Sequence, residues 1–166
     1  MSGRDELILI AELGAAFAGF LAIFLIFARR EGRFSAADSL AVRSMILGSF
    51  SAIFIALVPL ALGVLDAPES VVWRTSSGFG LLVLLFVAVS MALAHRRILR
   101  GDDRSDLNSP LVVAAWLMAS LVVALFLANV SGLFGDPSAG LHIAALIVLL
   151  AISALNFSDI AFKRLI

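Results

Sequence analysis

The side chains of this chain that could do chemistry are a few polar and charged groups set in or beside long apolar runs. Glu12 interrupts the apolar run of residues 7–28, and Asn129, His142 and Arg74 are expected near the same end of the other runs. A carboxylate and an imidazole in apolar surroundings can take up and release a proton, and an acid inside a membrane is a sign of function. We name these four residues the outer polar cluster and interpret them as a candidate entrance for protons or ions.

A second group of polar residues is expected at the opposite end of the apolar runs. This inner polar cluster consists of Arg43, His95, Asn156 and Asp159. An ion pair between Arg43 and Asp159 would join the second apolar run to the fifth, as polar pairs commonly do between membrane helices. The inner cluster is therefore predicted to be mainly structural.

Glu12 also has a structural interpretation, in which it accepts hydrogen bonds from Asn129 or Arg74 and holds the first helix against the fourth and fifth. Small residues lie on the same side of the first run at helical spacing, namely Ala15, Ala16, Gly19 and Ala22. Helices in lipid associate through small residues, because these let two backbones approach closely. The pattern therefore predicts that Glu12 faces protein and not lipid.

Stripes of small or polar residues occur on other apolar runs as well. On the second and fourth runs they consist of Ser44, Gly48, Ala52 and Ala56, and of Ser120, Ala124, Ala128 and Gly132. On the fifth run the stripe consists of His142, Ala145, Leu149, Ser153 and Asn156. These five residues fall within about 60° of one direction at roughly 100° per residue, which predicts a thin polar stripe along most of that helix.

Composition and position exclude several kinds of chemistry. The chain has no cysteine, and its one lysine, Lys163, lies near the C-terminus, so neither a thiolate site nor a Schiff base inside the membrane is expected. His95 and His142 belong to opposite ends of the runs and cannot ligate one haem. No nucleophile, base and orienting group share a depth, so we expect no catalytic residues, metal site, cofactor or enzyme activity.

The apolar runs themselves predict the fold. Of the 166 residues 62% are hydrophobic and 14% charged, whereas soluble domains have about 45–50% apolar and about 25% charged residues. Five runs are long enough to cross a hydrocarbon core of roughly 30 Å, namely residues 7–28, 40–65, 78–94, 110–134 and 139–157. They predict a single-domain, all-α integral membrane protein with five transmembrane helices. Residues 66–76 are expected to be the longest outer loop, with Trp73 at the membrane interface.

The basic residues predict the orientation of this bundle. Ten of the twelve Lys and Arg residues lie in or next to the first loop, the third loop and the C-terminal tail, and only Arg4 and Arg74 lie on the other side. Cytoplasmic loops carry the excess of basic residues, so the N-terminus is expected outside and the C-terminus in the cytoplasm. Eleven of the twelve are Arg, a usage typical of GC-rich bacterial genomes, and the expected location is a bacterial inner (plasma) membrane.

Two hypotheses of function follow. The first is a homo-oligomeric channel or transporter-like protein for ions or protons, with its pore between subunits and the outer polar cluster at its mouth. The second is a non-catalytic accessory or scaffold subunit of a larger membrane complex. Both have the lipid bilayer and self-association or a membrane complex as partners, and the formal net charge of zero gives no reason to expect a nucleic acid.

Overall fold

The described part of the protein consists of helices and the short turns between them. The structure is a computed structural model that describes residues 3–30, 36–99 and 110–165. Over these residues the chain forms five helices: α1 Arg4–Arg30, α2 Ala36–Val64, α3 Glu69–Leu99, α4 Pro110–Ser131 and α5 Ala139–Leu165. Each of the five is long and apolar enough to cross a membrane, which confirms the all-helical prediction and indicates a membrane protein.

The first two turns of α3 were expected to be loop. Helix α3 begins at Glu69, so the prediction that residues 66–76 form a loop is wrong over most of that segment. The amides of Val71 and Val72 donate to the carbonyl of Pro68 at 2.9 and 3.0 Å, which starts the helical hydrogen bonding. An apolar run ends at its first polar side chains, but backbone hydrogen bonding does not depend on side-chain polarity. Trp73 is accordingly buried on α3 instead of lying in a loop, and its place at the membrane interface stays a prediction.

Helix α4 ends earlier than its apolar run. It stops at Ser131, three residues before the predicted end at residue 134, because Gly132 adopts a left-handed conformation with φ +69°. The amide of Leu133 then donates to the carbonyl of Ala128 at 3.1 Å. Glycine adopts this conformation without the steric penalty of a Cβ atom, and it is the usual residue just after a helix.

Helices α2 and α5 form the centre of the bundle. Helix α2 packs against α1, α3 and α5, and α5 also packs against α4, while α3 and α4 pack against each other. Gly3, at the start of α1, lies beside Ala139 and Trp73, so the starts of α1, α3 and α5 share one end of the bundle. We call this the turn end, because it holds the turns between α2 and α3 and between α4 and α5, and we call the other the arginine end.

Three glycines allow the close approach of neighbouring helices. A Cβ atom on Gly14 would lie 2.8 Å from Ile53 Cγ1, which brings α1 onto α2. A Cβ on Gly48 would lie 2.5 Å from Ser153 Oγ, between α2 and α5, and one on Gly80 would lie 2.9 Å from the ring of Phe126, between α3 and α4. These contacts set the helix spacing around the central pair.

Candidate functional site: a buried polar network

The most polar part of the core lies near the turn end, where α3, α4 and α5 meet. Ser77 on α3 has its Oγ 3.0 Å from Nδ1 of His142 on α5. Asn129 on α4 donates from Nδ2 to the same Oγ at 2.9 Å. All three side chains are 0% exposed, so the three helices are joined by hydrogen bonds shielded from lipid and water.

The backbone next to α5 fixes the direction of the hydrogen bond between Asn129 and Ser77. The amide of Ser138 donates to Oδ1 of Asn129 at 2.8 Å, so the other side-chain atom of Asn129 is the amide nitrogen that donates to Ser77. This nitrogen also lies 3.1 Å from the carbonyl of Ser138. The hydroxyl of Ser77 has one hydrogen and two acceptor lone pairs, so after accepting from Asn129 it can still either donate to Nδ1 of His142 or accept from it, according to the tautomer of the ring.

Aromatic rings enclose the imidazole of His142. The ring centroid of Trp73 lies 5.6 Å from that of His142, and the centroid of Phe126 lies 5.3 Å away. Both aromatic side chains are buried. The network is therefore held in an apolar environment, in which each hydrogen bond is strong and each unpaired polar group is costly.

Three buried polar atoms have no hydrogen bond to any described group of the protein. They are Nε2 of His142, Oγ of Ser76 and Oγ of Ser153. Such atoms are rare in folded proteins, since a buried donor or acceptor usually finds a partner in the protein or in an ordered water molecule. The unpaired atoms of His142 and Ser153 both belong to the α5 stripe that the sequence predicts.

That stripe is confirmed as an inward-facing surface of α5. His142, Ala145, Leu149 and Ser153 are buried, and Asn156 is half-buried. Towards the arginine end Asn156 donates from Nδ2 to Oγ of Ser44 on α2, at 3.0 Å. The predicted stripe of α2 faces inward as well, since Gly48, Ala52 and Ala56 are buried and Ser44 is half-buried. On the same helix the structure also buries Ser49 and Ser51.

The outer polar cluster is only partly brought together. Asn129 and His142 meet through Ser77, but the side chains of Glu12 and Arg74 are exposed on the surface of the bundle. The predicted hydrogen bond from Asn129 to Glu12 is wrong, because the described contacts of that amide go to Ser77 and Ser138.

The prediction that Glu12 faces neighbouring helices of its own bundle is also wrong. Helix α1 packs with the face that carries Leu7, Ile10, Gly14 and Leu21, which are buried. The small residues on the Glu12 side, Ala15, Ala16, Gly19 and Ala22, are exposed. Both faces of α1 contain small residues, and Gly14 fits against α2 whereas a Cβ atom on Gly19 would contact nothing within 4 Å. Likewise, the α4 stripe is buried only at Ala128, while Ser120 and Ala124 are exposed.

The inner polar cluster forms separate contacts. Nη2 of Arg43 donates to Oγ of Ser90 at 2.7 Å and so joins α2 to α3. Asn156 joins α5 to α2, as described above, and Asp159 and His95 are half-buried on α5 and α3. The predicted pair between Arg43 and Asp159 stays a prediction, because the contact seen for this guanidinium is the one with Ser90.

Ser77 is the residue of the buried network that the sequence analysis missed. It lies between the loop expected over residues 66–76 and the third apolar run, which begins at residue 78. A signal was present, because Trp73, Ser77, Gly80 and Leu84 follow one another at helical spacing of three or four residues. All four are buried on the inward face of α3.

The site offers hydrogen-bonding groups and one titratable ring, without the ligand set of a metal centre. Among the described residues no group of three His, Asp or Glu side chains could hold a metal ion. Comparison of the chain with protein-family models, with curated proteins and with solved structures finds no match.

Proposed function

We propose that this protein is a small transporter-like or channel protein that moves protons across a bacterial inner membrane. The observation that carries the proposal is a line of inward-facing residues on α5, which has the buried His142 at one end and the buried Ser153 and half-buried Asn156 at the other. Along α5 His142 and Asn156 are 14 positions apart, or about 21 Å at about 1.5 Å per residue. The line thus covers most of a hydrocarbon core that is roughly 30 Å thick.

This line lies inside one helix bundle, whereas the sequence analysis predicts a pore between subunits. A pore between subunits would need Asn129 and His142 on the surface, and both are in the interior of one chain. In the proposal protons therefore travel between α2 and α5 within each bundle. Buried ionisable and hydrogen-bonding groups in a membrane protein commonly mark such proton relays.

The middle of the proposed path is apolar, and this would keep the path closed to protons. Ala52, Ala145 and Leu149 are buried between His142 and Ser153 and offer no side-chain hydrogen bonds. A proton would cross this layer only after α2 and α5 separate enough for water to enter, which is the behaviour of a gated protein. Ser49 and Ser51 of α2 would help to hold that water.

The proposed orientation follows the basic residues, with the turn end outside and the arginine end in the cytoplasm. His142 then lies near the outer end of the path and Asn156 near the inner end. Protons are the ions proposed because the line has one imidazole and hydroxyl and amide groups but no buried carboxylate among the described residues.

The test is proton flux into liposomes that contain the purified protein and a pH-sensitive dye, with a potassium diffusion potential as driving force. We expect uptake above that of empty liposomes, and its loss in His142→Gln, which keeps a hydrogen-bonding side chain but cannot titrate. His95→Gln is the matched control, since His95 lies outside the α5 stripe. Flux equal to empty liposomes, or His142→Gln equal to the unchanged protein, would contradict the proposal.

A second candidate function is an accessory or scaffold subunit in a larger membrane complex, and the exposed Glu12 favours it. A carboxylate on the lipid-facing surface of a helix costs free energy, and a partner helix that covers it would remove this cost. Exposed Ala15, Ala16 and Gly19 beside Glu12 would let such a helix approach. Purification in mild detergent distinguishes the candidates, because a scaffold subunit keeps a fixed protein partner whereas a homo-oligomer yields only this chain.

A further inference from the structure

We propose that Arg43 and Ser90 form a binding site for the phosphate group of a phospholipid, on the surface between α2 and α3 near the arginine end. In this site the guanidinium of Arg43 binds the phosphate oxygens, and the acyl chains lie along the same surface. The inference goes beyond the proposed function, because the site is on the outside of the bundle and the path along α5 does not depend on it.

The charge of Arg43 has no counter-ion among the described residues. Its Nη2 donates to Oγ of Ser90 at 2.7 Å, and this hydroxyl is neutral. The side chain of Arg43 is exposed, so it lies on the surface that faces lipid. A guanidinium is always charged and has five N–H donors, of which the contact with Ser90 uses one. Charged side chains in a membrane span are costly unless they are paired, so the remaining donors require an anionic partner.

Arg43 and Ser90 lie at one depth, close to the edge of the hydrocarbon core. Arg43 is eight positions from Ser51, the middle residue of the apolar span Asp38–Val64 of α2. Ser90 is seven to eight positions from the middle of the span Glu69–Arg96 of α3. Both separations are about 11–12 Å at about 1.5 Å per residue, and half of a hydrocarbon core is about 15 Å. A charge at such a depth is accommodated where the bilayer thins locally, which brings the phosphate layer to it.

Phosphate is the anion that this pair of side chains favours. The planar guanidinium of arginine binds phosphate through two parallel N–H···O bonds. The contact with Ser90 orients the guanidinium, and the hydroxyl of Ser90 keeps its own hydrogen to donate, because arginine has no acceptor. One phosphate group can thus receive two hydrogen bonds from Arg43 and one from Ser90. The positive charge of this surface and the negative charge of the lipid phosphate are complementary.

The neighbouring surface is apolar and fits the acyl chains of the same lipid. Phe50 lies two helical turns from Arg43 on the same face of α2, and Phe86 lies one turn from Ser90 on α3. Both rings are exposed, and both lie deeper in the membrane than the site. A lipid with its phosphate at Arg43 therefore has its acyl chains beside these rings. Inorganic phosphate has no such contact, so we assign the site to a phospholipid.

The experiment is native mass spectrometry of the whole protein, taken from phosphatidylcholine bilayers that contain a minor share of phosphatidylglycerol. We expect the unchanged protein to retain phosphatidylglycerol. Arg43→Gln should bind it at least about tenfold more weakly, because hydrogen bonds to a charged group are lost. Arg96→Gln is the matched control, since Arg96 is exposed at the same end of the bundle and its replacement changes the net charge equally. Equal losses in the two variants would indicate only a general attraction to basic residues and would overturn the proposal.

A second measurement identifies the recognised group without a variant, so it gives an answer even if Arg43→Gln does not fold. Diacylglycerol with the same acyl chains lacks the phosphate, and we expect the unchanged protein not to retain it. Retention equal to that of phosphatidylglycerol would overturn the role of the phosphate. An excess of inorganic phosphate should leave the bound lipid in place. Release of the lipid by inorganic phosphate would show that the site takes the free ion, and would overturn its assignment to a phospholipid.

Discussion

The hydroxyl of Ser77 lies 3.0 Å from Nδ1 of His142, although 65 positions separate the two residues in the chain. The same hydroxyl accepts a hydrogen bond from Asn129 at 2.9 Å. One serine side chain thus holds α3, α4 and α5 together. The chemistry proposed for His142 depends on this contact.

Replacement of Ser77 by alanine should destabilise the bundle. The change removes the hydrogen-bond partner of Nδ1 of His142 and of one donor of Asn129, and both groups stay buried. A buried polar group without its partner costs about 1–3 kcal/mol, but hydrogen bonds between membrane helices average nearer about 0.6 kcal/mol. We expect the free energy of unfolding to fall by about 1–2 kcal/mol, measured by titration with a denaturing detergent in mixed micelles.

The matched control for this variant is Ser70→Ala on the same helix. Ser70 is exposed, so its replacement should change the free energy of unfolding by less than about 0.5 kcal/mol. Equal effects of the two variants would show that the network contributes nothing to stability.

Replacement of Gly48 by alanine should force α2 and α5 apart. The new Cβ atom would lie 2.5 Å from Oγ of Ser153, and overpacking of this kind costs about 1–3 kcal/mol. Adding Ser153→Ala removes the clashing oxygen, which has no hydrogen bond to a described group, so the double variant should regain most of the lost stability.

Gly19→Ala serves as the control for this contact in the same unfolding assay. A Cβ atom there meets nothing within 4 Å, and alanine is the better helix former. Its free energy of unfolding should therefore be unchanged or slightly higher. A double variant as unstable as Gly48→Ala alone would contradict the clash at Ser153.

Glu12→Gln should affect assembly more than folding. Since the Glu12 side chain is exposed on the bundle, its change should alter the free energy of unfolding by less than about 0.5 kcal/mol. If another helix covers this face, native mass spectrometry should show a shift towards smaller assemblies. Leu82→Ala, at an exposed position of α3, is the control and should keep the original masses. An identical mass distribution for Glu12→Gln and the unchanged protein would argue against a covered α1 face.

The orientation can be tested with single cysteines, because the chain has none of its own. Leu65→Cys lies at the turn end and Ser39→Cys near the start of α2, and both positions are exposed. A maleimide that cannot cross membranes should label Leu65→Cys in intact spheroplasts and label Ser39→Cys only after lysis. The reverse pattern would contradict the proposed orientation of the basic loops.

The sequence by itself determined the number of helices and the inward face of the central pair. Apolar runs longer than the membrane core leave few alternatives to spanning helices, because a backbone in lipid must satisfy its own hydrogen bonds. On α5 the polar residues His142, Ser153 and Asn156 are so few that burying them selects one face. Helical periodicity in the sequence can predict a single preferred face of this kind.

Only the tertiary structure decided which face of α1 packs and which residues meet His142. Both faces of α1 are apolar with small residues, so hydrophobicity does not separate them, and the fit of Gly14 against Ile53 and Ser49 selects one. Ser77 joins the site because α3 begins two turns before its apolar run. Contacts between distant residues depend on shape complementarity of helix surfaces, and a one-dimensional pattern does not contain that information.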